Sequence, residues 1–265
     1  MAAAPWGLLL APQVAMAEQA GMECPGWLSD SEQHRLAGLR TAARQSLFVA
    51  CRFALRQLLA ADGGAPNTWS LGSCAARAPW VERDGGRVDL SPVPWLSLSH
   101  SGGWIACAKA PVAVGVDLEV QAADRQRDVQ ALAALVCAPS ELDWVLSHPT
   151  ETQQQCFLQL WCLKEAYFKC LGTGLDLARI RHSAWHVRHG DSTPDVPVVA
   201  RAHRLPQAHA RVWQSWTEDG AVVCMALCAC SPLPALTPCV TGAELGWRSV
   251  TEWRLLAVTQ RSEPY

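Results

Sequence analysis

The segment AVGVDLEV, residues 113–120, predicts a buried β-strand that carries two carboxylates. Its even-numbered residues are apolar and lie on one face, whereas Gly115, Asp117 and Glu119 lie on the other. Alternate residues of a strand are ~6.6–7 Å apart and point the same way. Two such carboxylates repel each other unless a positive group lies between them. An isolated D-x-E pattern is more often a solvated edge, but the flanking valines favour a central strand that holds a cation.

A helix predicted over residues 152–171 supplies a third carboxylate, in the segment WCLKEAYFK at residues 161–169. Glu165 and Lys169 share one helix face, which usually indicates a surface ion pair. Apolar neighbours argue against that ordinary interpretation here: Leu158, Trp161 and Phe168. Three carboxylates on two elements suit Mg²⁺, which also takes water and substrate phosphates as ligands. The pattern therefore predicts a phosphate-bearing substrate with Lys169 beside it, and Lys164 as the next candidate cation.

Further polar and basic residues come earlier in the chain. Ser99 and His100 precede a Ser-Gly-Gly turn, where hydroxyls, an imidazole and turn amides suit an anion. A lone histidine is more often structural than functional. The early arginines recur at helical spacing: Arg40, Arg44, Arg52 and Arg56. A charged helix face is the ordinary explanation for them, and a phosphate clamp is the alternative.

The composition narrows the classes of partner, metal site and compartment that fit the protein. The 265 residues are half apolar and carry a net charge of −2, so nothing in the balance requires nucleic acid or a charged membrane as partner. The twelve cysteines contain no C-x-x-C pair, which argues against structural zinc and for reduced thiols in the cytoplasm. Residues 1–17 lack the basic start of a signal peptide, and no segment has the length of a membrane span.

The order of predicted elements runs twice from helices to strands. Ser29 to Glu32 has the form of a capping box, so a helix begins near Asp30, and a second helical stretch covers residues 45–60. Strands are predicted at residues 6–10, 96–99, 104–108, 113–120, 211–216 and 222–230. The tail after residue 231 has no clear period.

With these segments in place, the chain resembles the larger, pseudo-dimeric 4′-phosphopantetheinyl transferases of the surfactin-synthetase-activating type. The matching segments are FVACRFALR (48–56), LSLSHS (96–101), VGVDLE (114–119), WCLKEAYFK (161–169) and GTGL (172–175). The G-x-D-x-E and W-x-x-K-E-x-x-x-K motifs together form the signature of that family. The match runs in order from near residue 30 to near residue 230.

The resemblance implies a role for each matching residue. The implied metal ligands are Asp117, Glu119 and Glu165. Glu165 is also the implied general base, acting directly or through water, and Lys169 is the implied phosphate-binding lysine. The implied coenzyme A contacts are Ser99, His100, Arg44, Arg52 and Arg87, the last standing in for a Gly-Lys-Pro segment of the family. Ser97 replaces a frequent asparagine of the family, a change expected to affect the loop more than the chemistry.

The resemblance further implies an α+β fold of two similar α+β halves, a pseudo-dimer with coenzyme A in the cleft. The expected division is an N-terminal half (1–120), a C-terminal half (121–235) and an extension of unclear role (236–265). The expected activity is Mg²⁺-dependent transfer of 4′-phosphopantetheine from coenzyme A to a serine of an apo acyl or peptidyl carrier protein, releasing 3′,5′-ADP. We expect a cytoplasmic monomer without nucleic-acid or membrane partners.

Two other functions stay open from the sequence. A hydrolase of coenzyme A or nucleotides could use the same metal, and a carrier-free turnover assay would distinguish it. A catalytically decayed coenzyme A-binding module is the other alternative, which the presence of Asp117, Glu119, Glu165 and Lys169 disfavours. The pathway of the carrier, whether fatty acid, polyketide or peptide synthesis, is not set by the residues.

Overall fold

The structure, a computed structural model, describes residues 5–22, 26–61, 63–75, 77–82, 93–125, 127–175, 177–187 and 208–258. The elements before the central strand are β1 (Gly7–Pro12), α1 (Gln13–Met22), α2 (Asp30–Ala37), α3 (Ala42–Ala60), β2 (Leu71–Gly72), β3 (Trp80–Val81), β4 (Trp95–Ser101) and β5 (Trp104–Ala110). From the central strand onward they are β6 (Val114–Gln121), α4 (Val129–Val136), α5 (Pro139–Leu146), α6 (Thr150–Leu171), α7 (Leu177–Ile180), β7 (Ser183–Val187), β8 (His209–Trp216), β9 (Val222–Ala229), β10 (Cys239–Val240) and β11 (Ser249–Val258). The chain has the predicted α+β fold.

Within the described residues the strands form two main sheets and one short ribbon. The first sheet has the order β10-β1-β5-β4, the second has the order β6-β9-β8-β11-β7, and β2 pairs with β3 in the ribbon. Every pairing is antiparallel except that of β1 with β10. One long helix covers a face of each sheet: α3 packs on β1 and β5, and α6 packs on β8 and β9.

The central strand β6 lies between the first sheet and helix α6. Its apolar face, with Val116 and Leu118, packs against Leu8 and Leu10 of β1. Its other face lies so close to α6 that a Cβ on Gly115 would be 1.8 Å from the carbonyl oxygen of Ala166. Only a glycine fits there, because side-chain carbons do not approach an oxygen within 3.0 Å. The glycine of the G-x-D-x-E motif therefore brings the carboxylate strand onto the carboxylate helix.

Serine hydroxyls connect the two sheets. β4 and β6 belong to different sheets, and alternate serines of β4 bridge them: Ser97 Oγ accepts from Val116 N at 2.9 Å, and Ser101 Oγ accepts from Val120 N at 3.1 Å. Ser97 lies inside β4 rather than in a loop, so the expectation that its replacement affects a loop was wrong. Its hydroxyl helps to set the spacing of the sheets.

The predicted elements are largely present, with differences in the early helices and the tail. The strand near residues 6–10 is confirmed as β1, and Ser29 caps α2 as predicted. The second helical stretch, predicted over residues 45–60, begins earlier than expected, because α2 ends at Ala37 and α3 starts at Ala42. Helix α1 and strand β7 were not predicted, because their apolar residues do not recur clearly at helix or strand spacing.

The division of the chain at residues 120 and 235 stays a prediction. Strand β6, predicted to end the N-terminal half, pairs along its full length with β9 in the second sheet. The C-terminal segment, whose role was unclear, supplies β10 beside β1 and β11 between β8 and β7. That segment therefore completes both sheets. No helix of the described residues is long and apolar enough to cross a membrane.

Candidate active site

Asp117 is the centre of the site. Asp117 is 3 % exposed, and its backbone pairs with that of Ala226 in β9. Asp117 Oδ1 accepts a hydrogen bond from Ser99 Oγ at 2.8 Å and forms an ion pair with Lys169 Nζ at 2.7 Å. Asp117 Oδ2 is buried and has no hydrogen-bond partner within the described residues. This carboxylate therefore keeps one oxygen with unused acceptor capacity.

Lys169 lies in the last turn of α6 and links the two sheets through its ammonium. Its Nζ donates to Ser99 Oγ at 2.8 Å as well as to Asp117 Oδ1. The side chain is 30 % exposed, so its charge borders on solvent. The structure thus brings together Ser99, Asp117 and Lys169, as the matched motifs imply.

Glu119 lies two residues after Asp117 on the same face of β6. Its Oε1 accepts from Trp161 Nε1 at 3.1 Å, and its Oε2 accepts from Ser101 Oγ at 3.4 Å. Loss of solvent and the nearby Asp117 charge raise the pKa of Glu119. Trp161 and Ser101 therefore fix the direction of a carboxylate whose charge the site does not fully compensate.

Glu165 is half-buried on α6, one turn before Lys169. Loss of solvent, followed by repulsion from Asp117, raises its pKa from 4.5 to about 7, although Lys169 opposes the shift. A carboxyl group with a pKa near neutrality can accept and release a proton at the pH of the cell. Glu165 therefore has the acid–base property that a general base needs.

The three carboxylates have the oxygen ligands that a hard divalent cation prefers. Mg²⁺ prefers carboxylate oxygens, and the raised pKa values of Glu119 and Glu165 show negative charge that a cation would relieve. Asp117 Oδ2 offers a buried oxygen without a partner. Over the described part of the chain, however, no three His, Cys, Asp or Glu side chains are already gathered closely enough to hold an ion. The metal-ligand set stays a prediction.

His100 follows Ser99 on β4 but lies at the surface. Partial loss of solvent and the Lys169 ammonium lower its pKa, so the neutral imidazole is favoured at neutral pH. Successive strand residues point to opposite faces, which places the ring on the other side of β4 from Ser99 Oγ. Its role toward a phosphate stays a prediction.

The early arginines do not share the carboxylate site in this structure. Arg44 is exposed in the first turn of α3. Arg52 is buried, donates to Ser73 Oγ at 2.9 Å and lies 3.7 Å from Glu32 Oε1. Their expected contacts with coenzyme A stay predictions. Arg87 lies outside the described residues.

Lys164 is not a candidate for the reaction, contrary to the sequence interpretation. Its Nζ is fully buried and forms an ion pair with Glu141 Oε2 at 2.8 Å. It also donates to the carbonyl oxygens of Ile180 at 2.9 Å and Ser183 at 2.6 Å. Lys164 and Glu165 are neighbours in sequence, yet the helix directs one inward and the other toward β6.

Sequence reasoning missed a pocket of about 520 Å³ between the ribbon, β4 and the end of α6. Its lining includes Arg77, Trp80, Trp95 and Gly172. The guanidinium of Arg77 lies over the Trp80 ring, 5.3 Å from its centroid, and the Trp95 side chain is largely exposed. Gly172 is three residues beyond Lys169, so the pocket borders the carboxylate site. In the sequence, the feature that could have indicated this pocket is the pair of tryptophans, each of which follows a proline, with an arginine close to the first.

Comparison with known proteins finds similarity over part of the chain. Residues 113–227 match the model of the 4′-phosphopantetheinyl transferase superfamily. A 4′-phosphopantetheinyl transferase of Bacillus pumilus is 32% identical over 120 residues, which are 43% of this chain and 49% of that protein. The transferase Sfp of Bacillus subtilis is 27% identical over 143 residues, 53% of this chain and 57% of that protein.

The chain spans about half the length of these curated relatives. The matched region contains four of the residues described above: Asp117, Glu119, Glu165 and Lys169. Ser99 and His100 precede it.

Proposed function

We propose that this chain is a 4′-phosphopantetheinyl transferase of the Sfp-like type, which transfers phosphopantetheine from coenzyme A to a carrier-protein serine. The match of residues 113–227 to the superfamily model and the similarity to the Bacillus transferases support this proposal. The observation that carries the proposal is the contact of Lys169 Nζ with Ser99 Oγ and Asp117 Oδ1, beside Glu165. Oxygen ligands, a cation and a carboxyl group of near-neutral pKa are the groups that phosphoryl-type transfer needs.

In the proposed reaction the carrier serine oxygen attacks the phosphorus that bears the pantetheine arm. Glu165 is the proposed group that takes the serine proton, directly or through water. The bond from that phosphorus to the leaving 3′,5′-ADP breaks, and the Lys169 ammonium lies beside the charge that develops on the leaving oxygen. Positioning and charge stabilisation supply most of the acceleration in such transfers.

The proposed metal ligands are Asp117, Glu119 and Glu165. The unpartnered Asp117 Oδ2 and the uncompensated charge of the other two carboxylates support this set. A bound Mg²⁺ would neutralise pyrophosphate oxygens. Asp117 would then share its charge between the ion and Lys169, while Trp161 and Ser101 keep Glu119 directed at the same place.

We assign the nucleotide end of coenzyme A to the pocket that borders Gly172. Trp80 and Trp95 provide flat apolar surface for the adenine, and the exposed Arg77 provides a cation for a phosphate. Ser99 and His100 lie on β4, the strand whose Trp95 and Leu96 line this pocket. Arg44, Arg52 and Arg87 are secondary candidates from the resemblance alone.

The finer assignments are part of the same proposal. All cysteines within the described residues are free thiols, which suits the reducing cytoplasm. The small net charge of −2 gives no general attraction to nucleic acid or anionic lipid. We therefore propose a cytoplasmic monomer whose partners are coenzyme A and an apo carrier protein.

The test is incubation of the protein with coenzyme A, Mg²⁺ and several apo acyl and peptidyl carrier proteins. The expected result is a mass gain of one phosphopantetheine on the carrier serine, together with release of 3′,5′-ADP. Asp117→Ala should abolish the gain, whereas Glu151→Gln, an exposed carboxylate in the first turn of α6, should keep it. Loss of coenzyme A without a carrier would support a hydrolase instead, and no turnover with any carrier would contradict the proposal.

A further inference from the structure

Three cysteines meet where α6 ends beside β9, and the proposed transfer uses none of them. Cys170 is in the last turn of α6, Cys228 is in β9, and Cys230 follows that strand directly. Cys170 Sγ and Cys230 Sγ are 4.0 Å apart, and both thiols are free. We propose that Cys170 and Cys230 are a modification site, at which a peroxide oxidant forms a reversible disulfide.

The packing determines which of the two sulfurs moves. Cys170 Sγ donates to Ala113 O at 3.3 Å, and a Cβ on Gly115 would lie 2.5 Å from Cys170 N. These contacts hold the end of α6 against β6. Cys230 lies beyond Ala229, the last residue of β9, and is partly exposed. A disulfide needs a sulfur separation of ~2.05 Å, so Cys230 closes the remaining gap of ~2 Å.

The two thiols differ in a way that assigns their roles. Cys230 is the more exposed and meets the oxidant, although loss of solvent raises its pKa to about 11 and makes this step slow. Hydrogen bonds with Cys228 and then Cys230 lower the pKa of Cys170, which makes Cys170 the better nucleophile for the second step. Cys228 is completely buried and is not the group that meets the oxidant.

The chemistry balances with hydrogen peroxide as the oxidant. Cys230 Sγ attacks one peroxide oxygen, the O–O bond breaks, and a sulfenic acid and water form. Cys170 Sγ then attacks the Cys230 sulfur, the S–O bond breaks, and a second water leaves with the thiol proton. The two thiols lose two hydrogen atoms in total, and a dithiol reductant restores them by exchange.

The experiment treats the full chain with hydrogen peroxide, alkylates the remaining thiols, and maps the peptides by mass spectrometry. We expect a Cys170–Cys230 cross-linked peptide, lighter by two hydrogen atoms, that disappears after dithiothreitol. Since the two cysteines are 60 residues apart, the cross-link should also raise the melting temperature by on the order of 5 °C.

Matched variants give the proposal two ways to fail. Cys230→Ser should remove both the cross-linked peptide and the thermal shift, whereas Cys74→Ser, an exposed cysteine elsewhere, should keep both. Cys228→Ala should also keep both, because Cys228 is not part of the bond, although the cross-link should form more slowly without the hydrogen bond that lowers the pKa of Cys170. A cross-link of Cys170 to Cys228 would overturn the proposal, as would accumulation of Cys230 as a sulfinic or sulfonic acid without any cross-link.

Discussion

The two long helices bury a cation in the same way. Glu32 near the start of α2 accepts from Ser29 N at 3.0 Å and from Arg56 Nη2 of α3 at 2.6 Å. Glu141 near the start of α5 accepts from Ala138 N at 2.6 Å and pairs with Lys164 of α6 at 2.8 Å. Each short helix is thus fastened to the following long helix by its own capping glutamate.

The two helices differ at the residues that follow the buried cation. Arg56 is followed by Gln57, with Ala61 five residues on, whereas Lys164 is followed by Glu165, with Lys169 five residues on. The buried ion pairs of α3 and α6 are therefore both structural. Only α6 also carries the two charged residues of the candidate site, Glu165 and Lys169. Adjacent positions of one helix can carry separate tasks because a step of one residue rotates the side chain to another face.

Breaking either of the two buried ion pairs should have the largest effect on stability. Lys164→Ala leaves the buried Glu141 uncompensated and should lower the free energy of unfolding by about 3–5 kcal/mol. Arg56→Ala should cost about the same for Glu32, since that pair is equally buried. Urea denaturation measures both, and Arg181→Ala on the surface is the control. A loss below about 1 kcal/mol for Lys164→Ala would contradict a structural role.

Lys169→Ala should separate chemistry from stability on the same helix. In the proposed reaction its ammonium stabilises the charge on the leaving oxygen, so kcat should fall by about 10²–10³-fold while coenzyme A affinity by calorimetry stays nearly unchanged. Lys169→Arg should restore activity only in part, because a planar guanidinium does not replace a compact ammonium. A large loss of affinity with kcat preserved would instead make Lys169 a ground-state binder.

Glu165→Gln should change how stability depends on pH in metal-free protein. The folded Glu165 holds its proton up to about pH 7, whereas the unfolded chain loses it near 4.5. Its contribution is therefore fully present below pH 4.5 and is lost as the pH rises through about 7. In chelator, the wild type should lose about 2 kcal/mol of unfolding free energy over this range, after allowance for solvent screening, and Glu165→Gln should lose less. Identical pH profiles would show that Glu165 is ionised throughout.

His100→Ala should have the smallest effect and tests the contribution of the first sheet. His100 is exposed on β4 and is not among the contacts of Asp117, so the KM for coenzyme A should rise several-fold while kcat and the KM for the carrier change little. Steady-state kinetics with coenzyme A and its 3′-dephospho analogue locate the contact. If the mutant still prefers coenzyme A over the analogue to the same degree, His100 does not bind the 3′-phosphate.

The central strand, the long helix and the polar residues that each presents could be predicted from the sequence. Spacings of two and four residues place Asp117 with Glu119 and Glu165 with Lys169, because strand and helix geometry are local properties of the backbone. The same spacing could not distinguish Lys164 from Lys169, since apolar residues surround both in the sequence. Nor could it assign the tail, because β10 and β11 pair with strands that are distant along the chain.

The partner of each charged side chain depends on how the helices and sheets pack. Lys169 contacts Asp117 and Ser99, Lys164 turns inward to Glu141, and Arg52 lies beside Glu32. These contacts join residues from different elements, and the contact of Lys169 with Asp117 forms because Gly115 lets α6 lie directly on β6. The spacing of residues along a helix or strand limits what a side chain can reach. The packing of sheets and helices then brings it to a partner, because a buried charge is costly unless it is paired and hydrogen-bonded.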